Sequence, residues 1–529
     1  MQSAEAERGA IREMVRQLAE AGPALRPADL WKLKAEVSGR YGLERVPKNS
    51  ELLEAAEPPA RAGLEPLLRR KDVRTRSGVA VVTVITRPFD CPHGTCTYCP
   101  GGVRQGTPQS YTRDSPAARF GMAAGYDPAR QTREALAALR RNGHDTSKVE
   151  LIVLGGTVLA MPPDYQRDFL TKCYEELNGR RASSLEAAIR ENERAARRCV
   201  GLTVETKPDW CREEHVDLLL SYGCTRVEIG VQSLREDVLK LVNRGHTLQD
   251  TARAFQVARD SCFKTVAHMM PRLPGSTPEG DLEDLMTLVG DERYSPDMLK
   301  VYPTLVVEGT ALHRQRLRGL YRPYDADALT ELLCRFKAAA PPWLRITRIQ
   351  REIPDHEIAE GKGGGNLRQL VRRRMERAGL RCRCIRCREA GHAPGPLRPE
   401  RAGLKRVEYR ASGGTEVFLS FEDGDALFGF LRLRMPSGKE HREEIRGRRA
   451  SLVRELHVFG PVVPVGAAPG GPGRAQHRGF GSGLLLEAER VSSEEFGMKK
   501  QVVIAASGTR EYYRKRGYRD DGPYVSKPL

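Results

Sequence analysis

At 529 residues the chain is too long for one ordinary hydrophobic core, so two or three domains are expected. It has no apolar run near the roughly 20 residues that cross a bilayer and no secretory signal at its start, so we expect a cytoplasmic protein with no membrane partner. Twelve cysteines, six of them in two tight groups, favour metal sites in a reducing compartment over disulfides. The net charge of +18 indicates a nucleic-acid partner, with a merely basic, solvated surface as the alternative.

The N-terminal region, residues 1–78, is predicted to be helical. Residues 10–18 carry apolar side chains at helical spacing, and residues 26–30 resemble a helix start. A short basic run at 69–76 leads to the first predicted strand, at 79–86. We therefore expect a helical region ahead of the first sheet.

Three cysteines follow the first predicted strand on one loop, Cys91-Pro-His-Gly-Thr-Cys96-Thr-Tyr-Cys99. Three closely spaced thiolates without a fourth suit a [4Fe-4S] cluster that leaves one iron free for a small molecule. A structural zinc requires four ligands, and no His or Cys follows at zinc-finger spacing. The loop therefore predicts a radical-generating cluster, with structural zinc and unliganded thiols as the alternatives.

Strand-like and helix-like segments alternate from residue 79 onward, which predicts an α/β fold with a parallel sheet, here a partial (β/α) TIM-like barrel. The predicted strands are 79–86, 149–154, 199–205, 225–231, 264–269, 299–302 and 344–349. The amphipathic segments between them include 131–141, 163–177 and 248–261.

Polar residues follow five of these strands directly. They occupy positions 155–157, 205–207, 232–233, 268–271 and 300–303. Because the carboxyl ends of parallel strands meet at one edge of a sheet, these residues are expected to line a common pocket.

Positive charge is concentrated in the segment 366–410, where 14 Lys and Arg stand against four Glu, a net charge of +10. Arg372, Arg373 and Arg374 are consecutive there. A helix that carries them could follow a phosphate backbone, each contact adding salt-dependent affinity. We expect these arginines to bind nucleic acid.

Three more cysteines lie inside this basic segment, and their spacing is that of a metal site. Cys382, Cys384 and Cys387, with His392 five residues later, make a plausible Cys₃His zinc site. His356 is the alternative fourth ligand. A second iron–sulfur cluster, or no metal at all, is the alternative to zinc.

Beyond about residue 405 the pattern changes to a smaller α/β unit. Its predicted strands are 417–421, 427–433 and 452–458, and a Gly/Pro-rich loop follows at 460–473. The turn Gln476-His-Arg-Gly479-Phe-Gly481-Ser-Gly483 leads into a predicted helix at 484–496. Backbone N–H groups at such a turn can hold a pyrophosphate, with a close-packed turn as the alternative.

Both halves of the chain resemble known families. The glycine-rich turn, the strand at 455–458 and the segment 508–518 resemble a GNAT acetyltransferase domain, and the cysteine loop with its barrel resembles the radical S-adenosylmethionine (SAM) enzymes. Their fusion resembles the Elongator catalytic subunit family of tRNA carboxymethyluridine synthases, from about residue 75 to the C-terminus. Further matching motifs are 225–233, 267–271, 299–304 and 365–368.

The patterns along the chain and the resemblance together predict four regions. These are an N-terminal helical, tRNA-binding region (1–78), a radical SAM domain (79–365), a basic zinc-binding linker (366–404) and a GNAT-type α/β domain (405–529). A homodimer or Elongator-type partner subunits are also implied.

The resemblance further implies an activity, the 5-carboxymethylation of the wobble uridine (U34) of tRNA. Cys91, Cys96 and Cys99 would hold the cluster that cleaves SAM to a 5′-deoxyadenosyl radical. That radical would take a hydrogen from the methyl group of acetyl-CoA, and the acetyl-derived radical would add to C5 of the uracil. The protein would align three reactants and exclude water.

Individual site residues are carried over by position. Gly155 and Gly156 match strand-end glycines that receive the methionine amine of SAM, and Glu205 and Gln232 are candidates for the rest of that pocket. The residues implied at the acetyl-CoA site are Lys148, Glu455, Leu456, His457, Val458, Phe480, Gly481, Ser482 and Tyr513. The phenol of Tyr513 would donate a hydrogen bond to the thioester oxygen or the leaving thiolate, whereas Tyr512 is expected to be the core tyrosine of the pair.

Three positions depart from the common patterns. Four residues separate Cys91 from Cys96, where most radical SAM enzymes have three. Lys207 stands where an arginine is usual, which puts a bidentate carboxylate contact in doubt. Arg272 occupies a position that is often acidic or small, and it is given no role.

Two other functions compete with the main hypothesis. One is a protein lysine acetyltransferase with a structural cluster. The substrates of such an enzyme are basic protein tails, and a basic enzyme is poorly matched to them electrostatically. The other is a non-catalytic tRNA-binding scaffold, which would neither cleave SAM nor need Tyr513.

Overall fold

The computed structural model describes residues 2–22, 25, 27–69, 75, 77–361, 366–392, 397–460 and 479–529. The predicted loop at 460–473, apart from its first residue, lies outside these ranges, as do residues 476–478 of the glycine-rich turn and Gly365. None of the helices in the described ranges is long and apolar enough to cross a membrane.

Four helices form the N-terminal region: α1 (Gln2–Ala21), α2 (Pro27–Arg40), α3 (Asn49–Ala55) and α4 (Pro58–Leu68). Ala10, Met14 and Leu18, spaced four residues apart on α1, pack against Leu52 and Leu53 of α3 in a small separate core. The α/β part of the chain begins after this cluster.

A parallel sheet of seven strands follows, in the order β1-β2-β3-β4-β5-β6-β8. Its strands, with the small pair β7 and β9, are β1 (Ala80–Ile85), β2 (Lys148–Leu154), β3 (Arg198–Thr206), β4 (Arg226–Gln232), β5 (Lys264–Met269), β6 (Met298–Val301), β7 (Val306–Val307), β8 (Arg345–Arg348) and β9 (Ile358–Glu360). The predicted half-barrel is confirmed, because all seven main strands coincide with the predicted ones.

Helices connect the strands of the half-barrel and extend into the basic segment. They are α5 (Pro116–Ala123), α6 (Pro128–Arg141), α7 (Pro163–Asn178), α8 (Leu185–Asn192), α9 (Glu213–Ser221), α10 (Glu236–Leu241), α11 (Leu248–Asp260), α12 (Pro278–Gly290), α13 (Ala311–Leu317), α14 (Ala326–Ala339), α15 (Leu367–Arg377) and α16 (Ile385–Arg388). Side-chain caps fix several starts, such as Asp127 at α6 and Thr247 at α11.

The C-terminal domain has its own seven-stranded sheet, in the order β10-β11-β12-β13-β14-β16-β15. Its elements are β10 (Gly403–Ala411), β11 (Gly414–Asp423), β12 (Ala426–Met435), β13 (Ala450–Val458), α17 (Phe480–Arg490), β14 (Lys500–Val503), α18 (Arg510–Arg514), β15 (Arg519–Asp521) and β16 (Tyr524–Pro528). The predicted helix 484–496 is shorter than expected, because a π-helical turn, Val491–Glu495, follows α17.

The C-terminal domain packs against the amino ends of the half-barrel strands. Arg454 donates to the Phe263 carbonyl, just before β5, at 2.8 Å and to Asp297, just before β6, at 2.6 Å. His457 Nε2 lies 2.9 Å from the carbonyl of Ser77, shortly before β1. The two domains therefore meet at the edge opposite the carboxyl ends of the barrel strands.

Candidate functional site

The first cysteine triad lies on the loop after β1. His93 Nε2 is 3.3 Å from Cys96 Sγ, and Arg244 Nη1 is 3.9 Å from the same sulfur. Burial raises the pKa of the Cys91 thiol, whereas a contact with Thr157 and the charge of Arg244 favour its thiolate. The loop therefore places three sulfur ligands beside a fixed cation, in surroundings whose burial favours the protonated thiol of Cys91.

The spacing of the sulfurs separates the two kinds of metal site. A tetrahedral zinc holds its sulfurs about 3.8 Å apart, given Zn–S bonds of about 2.3 Å. In the described part of the chain, Cys382, Cys384 and Cys387 have all their sulfurs within 4.8 Å, whereas Cys91, Cys96 and Cys99 do not meet that limit. The wider triad suits a group of several irons better than one zinc ion.

A cavity of about 1310 Å³ opens beside the first triad at the carboxyl ends of the barrel strands. It confirms the pocket expected from the polar strand ends. Among the side chains and glycines that line it are Cys91, Cys96, Cys99, Gly156, Glu205, Lys207, Gln232, His268, Lys300 and Tyr302.

Two glycines bring the end of β2 against the cysteine loop. Gly155 has φ +155°, and a Cβ there would lie 2.1 Å from Thr86 Oγ1. A Cβ on Gly156, with φ +75°, would point to within 3.9 Å of Cys91 Sγ. Side chains at these positions would strain the turn and fill the space beside the triad.

The carboxyl end of β4 adds an unsatisfied acceptor to the cavity. Gln232 has φ +76°, and its buried Oε1 has no hydrogen-bond partner among the described residues. A buried acceptor left without a donor costs about 1–3 kcal/mol, so a ligand carrying a donor would stabilise this arrangement. The residues present thus fit a polar ligand beside the cluster site, as SAM would require.

Acidic and basic groups meet deeper in the cavity. The phenol of Tyr111 donates to Glu205 at 3.2 Å, and burial beside Glu228 raises the pKa of the Glu205 carboxyl. Burial also opposes ionisation of Glu228, yet its ion pair with Lys300 and its contact with His268 at 2.9 Å hold its pKa well below the usual range. One carboxyl therefore binds protons more readily than usual and its neighbour stays ionised.

Sequence reasoning assigned no roles to Tyr111, Arg244 or Glu228. Tyr111 lies in irregular chain, and Arg244 follows a short helix, so no periodic pattern marked either residue. Glu228 is buried inside β4, where only the alternation of side chains could have indicated that it lies on the same face as Gln232.

In the second triad, Cys382 and Cys384 lie between α15 and α16, and Cys387 lies on α16. Lys337 Nζ is 3.7 Å from Cys387 Sγ. The side chain of His392 is outside the described residues. The alternative ligand His356 is wrong, because it is exposed and pairs with Asp114 at 2.9 Å, away from the thiols.

The predicted acetyl-CoA strand, β13, diverges from its parallel neighbour. β13 and β14 pair only over Ala450–Val453, while β13 continues to Val458 paired with β12. Glu455, on this continuing part, accepts from Arg432 Nε at 2.9 Å. Two parallel strands that separate in this way leave a cleft between them.

The glycine-rich turn lies at the start of α17, and a basic side chain contacts it. Arg516 Nη2 donates to Ser482 Oγ at 2.7 Å, and its guanidinium stacks on the Tyr512 ring at 3.7 Å. A Cβ on Gly481 would lie 2.7 Å from the Tyr512 hydroxyl, so a larger residue here would displace the Tyr512 side chain. Arg516 was not predicted, although a cation beside an anion-binding turn is its natural complement.

The burial of the two neighbouring tyrosines is the reverse of the burial expected from the sequence. Tyr513 is 6% exposed and belongs to the core of the C-terminal sheet, whereas Tyr512 is only partly buried beside Gly481. The prediction that Tyr512 is the core residue is wrong. The sequence could not show which of the two adjacent tyrosines is buried, because α18 has only five residues and is too short for an apolar pattern.

Lys148 lies away from the cavity's glycines, and the three consecutive arginines lie on α15. Lys148 is the first residue of β2, roughly 23 Å from Gly155 at its other end, given about 3.3 Å per residue. On α15, Arg372 pairs with Glu376, Arg373 is exposed, and Arg374 pairs with acidic groups of α14.

Comparisons with known proteins assign the family. A family model described as ELP3 N-terminal domain matches residues 8–76, Radical SAM superfamily matches 87–289, and Radical_SAM C-terminal domain matches 296–377. The chain is 43% identical to the human (Homo sapiens) protein named Elongator complex protein 3 over 531 residues, covering 98% of this chain and 96% of that protein. The chain belongs to the Elongator complex protein 3 family.

Archaeal members of the Elongator complex protein 3 family are also similar. The Methanocaldococcus infernus protein named tRNA uridine(34) acetyltransferase is 46% identical over 499 residues, which cover 91% of this chain and 92% of that one. A solved structure of the Elp3 of that archaeon, with an N-terminal deletion, has a TM-score of 0.76 at 43% identity, covering 86% of this chain and all of that one (100%). The half-barrel and the separate C-terminal sheet are thus the architecture of this family.

Proposed function

We propose that the chain forms 5-carboxymethyluridine at the wobble uridine of tRNA from acetyl-CoA, by SAM-dependent radical chemistry. One observation carries the proposal. Cys91, Cys96 and Cys99 share a cavity with a glycine that follows β2, and in the same chain β13 separates from β14 and leaves a cleft. The printed name of the archaeal relative, tRNA uridine(34) acetyltransferase, supports the same substrate.

In this proposal the half-barrel cavity binds SAM. Cys91, Cys96 and Cys99 hold a [4Fe-4S] cluster, which when bound supplies the electron that cleaves SAM. Gly155 and Gly156 leave room for the methionine part beside Cys91. Glu205 and Gln232 orient the ligand through hydrogen bonds from the next strand ends, and the buried walls exclude water.

The C-terminal sheet binds acetyl-CoA in the same proposal. Main-chain groups of Glu455, Leu456, His457 and Val458 pair with the pantetheine arm, and the turn Phe480, Gly481 and Ser482 holds the pyrophosphate. Arg516, bonded to Ser482, supports this anion site electrostatically. Lys148 contacts the acetyl-CoA from the barrel side, and Tyr513 donates a hydrogen bond to the thioester.

The remaining regions hold tRNA and the linker in place. We assign Cys382, Cys384, Cys387 and His392 to a zinc ion that orders the basic segment 366–404, and Arg372, Arg373 and Arg374 to the tRNA backbone. The helical region 1–78 adds to tRNA binding. The twelve free thiols, formed into no disulfide, favour a reducing compartment such as the cytoplasm.

Nucleoside analysis of reconstituted enzyme tests the proposal. The cluster is rebuilt anaerobically, reductant, SAM, acetyl-CoA and tRNA are added, and the nucleosides are resolved by mass. We expect carboxymethyluridine from the wild type, and neither product nor SAM cleavage from Cys96→Ala, because one cluster ligand is lost.

The matched control is Cys334→Ala, a buried cysteine on α14 outside both triads, which should retain the product. Product from Cys96→Ala would exclude the radical mechanism. Acetylated protein without modified tRNA would favour a lysine acetyltransferase instead.

A further inference from the structure

The most exposed large apolar side chains of the described residues lie together on the surface. Leu317, the last residue of α13, is 72% exposed, and Leu320 in the following turn is 74% exposed. Exposed arginines surround them at positions 314, 318 and 322. We call Arg314, Leu317, Arg318, Leu320 and Arg322 the α13 patch.

The segment that carries the α13 patch bears charge of one sign, although the exposed Glu308 precedes it and Glu360 lies against Arg316. Residues 309–322 contain four arginines and no acid. Arg316 is held by an ion pair with Glu360, which leaves the three arginines of the α13 patch to face a partner. An apolar centre with a basic rim is the composition of a protein-docking surface for an acidic partner.

The helix that carries part of the α13 patch contacts the loop of the first cysteine triad through Leu312, a residue outside the patch. The Leu312 amide on α13 donates to the Thr97 carbonyl at 2.8 Å. Leu312 is fully buried in one apolar cluster with Cys96 and Tyr98. Leu317 is five residues further along the helix, about 8 Å at a rise of about 1.5 Å per residue.

We propose that the α13 patch docks a small acidic protein that carries one electron at low potential. This deepens the proposed function and rests on it, because cleavage of SAM consumes one electron that must arrive from outside. The carrier is oxidised by one electron, and the group held by Cys91, Cys96 and Cys99 is reduced by one. No proton or leaving group is exchanged at the docking surface.

A protein fits the α13 patch better than RNA does. Single-stranded nucleic acid is held by exposed aromatic rings together with cations, and the one aromatic residue of the segment, Tyr321, is 8% exposed with its hydroxyl bonded to the Arg272 carbonyl. Exposed leucines instead fill pockets on a protein. One short helix and its turn also match the small interfaces of transient redox complexes.

A second copy of this chain is a poor partner for the same surface. In a symmetric dimer the α13 patch would face itself, and three arginines would oppose three arginines. Juxtaposed like charges oppose association, whereas an acidic carrier is attracted at long range and released quickly in salt.

The test is the double variant Leu317→Glu/Arg318→Glu, studied as the full-length chain with reduced flavodoxin as the probe. Flavodoxin binding is measured by titration calorimetry, with and without the cluster, and SAM cleavage is driven either by flavodoxin or by dithionite. We expect the flavodoxin Kd and the flavodoxin-driven rate each to worsen at least tenfold. The dithionite-driven rate should stay within twofold, because a small reductant needs no docking surface.

Leu404→Glu on β10, which adds an acid at an exposed leucine of the other domain, is the matched control and should behave as the wild type. Unchanged flavodoxin binding in the double variant overturns the proposal. The proposal is also overturned if the double variant loses tRNA affinity while flavodoxin binding is intact, because the surface then binds RNA. Loss of self-association with intact flavodoxin binding would likewise assign the surface to a second copy of the chain. Failure of the wild type to cleave SAM with dithionite would overturn the proposed function, while the binding titration still judges the docking surface.

Discussion

Tyr513 is the middle of three tyrosines whose rings contact one another in the C-terminal core. Its ring centroid lies 5.2 Å from that of Tyr512 and 5.8 Å from that of Tyr518. Burial raises the pKa of the Tyr513 phenol well above its usual value, so the hydroxyl stays protonated and can only donate or accept a hydrogen bond. A buried, protonated phenol near a thioester is suited to stabilise a developing negative charge.

Replacement of Tyr513 by Phe should therefore affect chemistry more than stability. The ring remains, so the free energy of unfolding should change by no more than about 1 kcal/mol. Loss of the donor should lower the acetyl-CoA-dependent rate about 10- to 100-fold, measured in single turnover, while SAM cleavage without acetyl-CoA is unchanged.

Tyr518→Phe is the control from the same core. The Tyr518 hydroxyl contacts Glu489 at 2.9 Å and Gln501, so its removal should lower stability without slowing the acetyl-CoA step. Equal rates for Tyr513→Phe and the wild type would mean that Tyr513 serves only the core.

On α15, one face is apolar and the opposite face is basic. Leu367, Val371 and Met375, four residues apart, are buried against the half-barrel. Arg373 is exposed on the other side, whereas Arg374 is tied to α14 through Glu331 at 3.0 Å. The three consecutive arginines are thus unequal, a distinction that their adjacency in sequence concealed.

We expect Arg373→Ala to weaken tRNA binding and to lower the slope of log affinity against log salt by about 0.7–0.9, the value for one lost phosphate contact. Titration of tRNA at several salt concentrations measures this slope. Arg374→Ala should change the slope less, because its guanidinium already neutralises protein carboxylates. Equal effects of the two variants would refute the inference that the ion pairs of Arg374 reduce its contribution to tRNA binding.

The strands that sequence predicted and those that it missed differ in their burial. β3 to β5 are mostly buried on both faces, and β2 alternates buried with half-buried residues; both patterns are visible in sequence. β10 is an exposed edge strand whose charged residues resembled part of the basic linker, and β15 has only three residues. The cysteine triads and strand-end glycines were predictable because their spacing itself encodes the chemistry.

A buried ionic network joins the two domains. Its members are Arg259, Arg432, Arg434, Arg454, Asp260, Asp297, Glu416 and Glu455, and each is at most 8% exposed. Burial opposes the ionisation of Asp297, yet Arg454 and Arg432 hold its pKa well below the usual range. Sequence could not reveal the network, because Asp297 and Arg454 are 157 positions apart.

Asp297→Asn should destabilise the interface by about 3–5 kcal/mol, because it leaves buried guanidinium groups without one of their anions. Urea unfolding followed by fluorescence reports the change, since Trp343 of the barrel stacks on Tyr409 of β10 at 4.1 Å. Asp168→Asn, which breaks the exposed pair with Lys172, should cost less than about 1 kcal/mol. If Asp297→Asn unfolds at the same urea concentration as the wild type, the network does not hold the domains together.

In the proposed function, the docking of the C-terminal domain at the amino ends of the barrel strands sets a length requirement on the acyl donor. β2 carries Lys148 at one end and Gly155 at the other, roughly 23 Å apart at about 3.3 Å per residue. A donor gripped near Lys148 can bring its acetyl carbon beside the cysteines only if a long flexible arm joins the two. In the proposed function, a pantetheine thioester can span this distance, whereas a compact acetylating agent such as acetyl phosphate cannot.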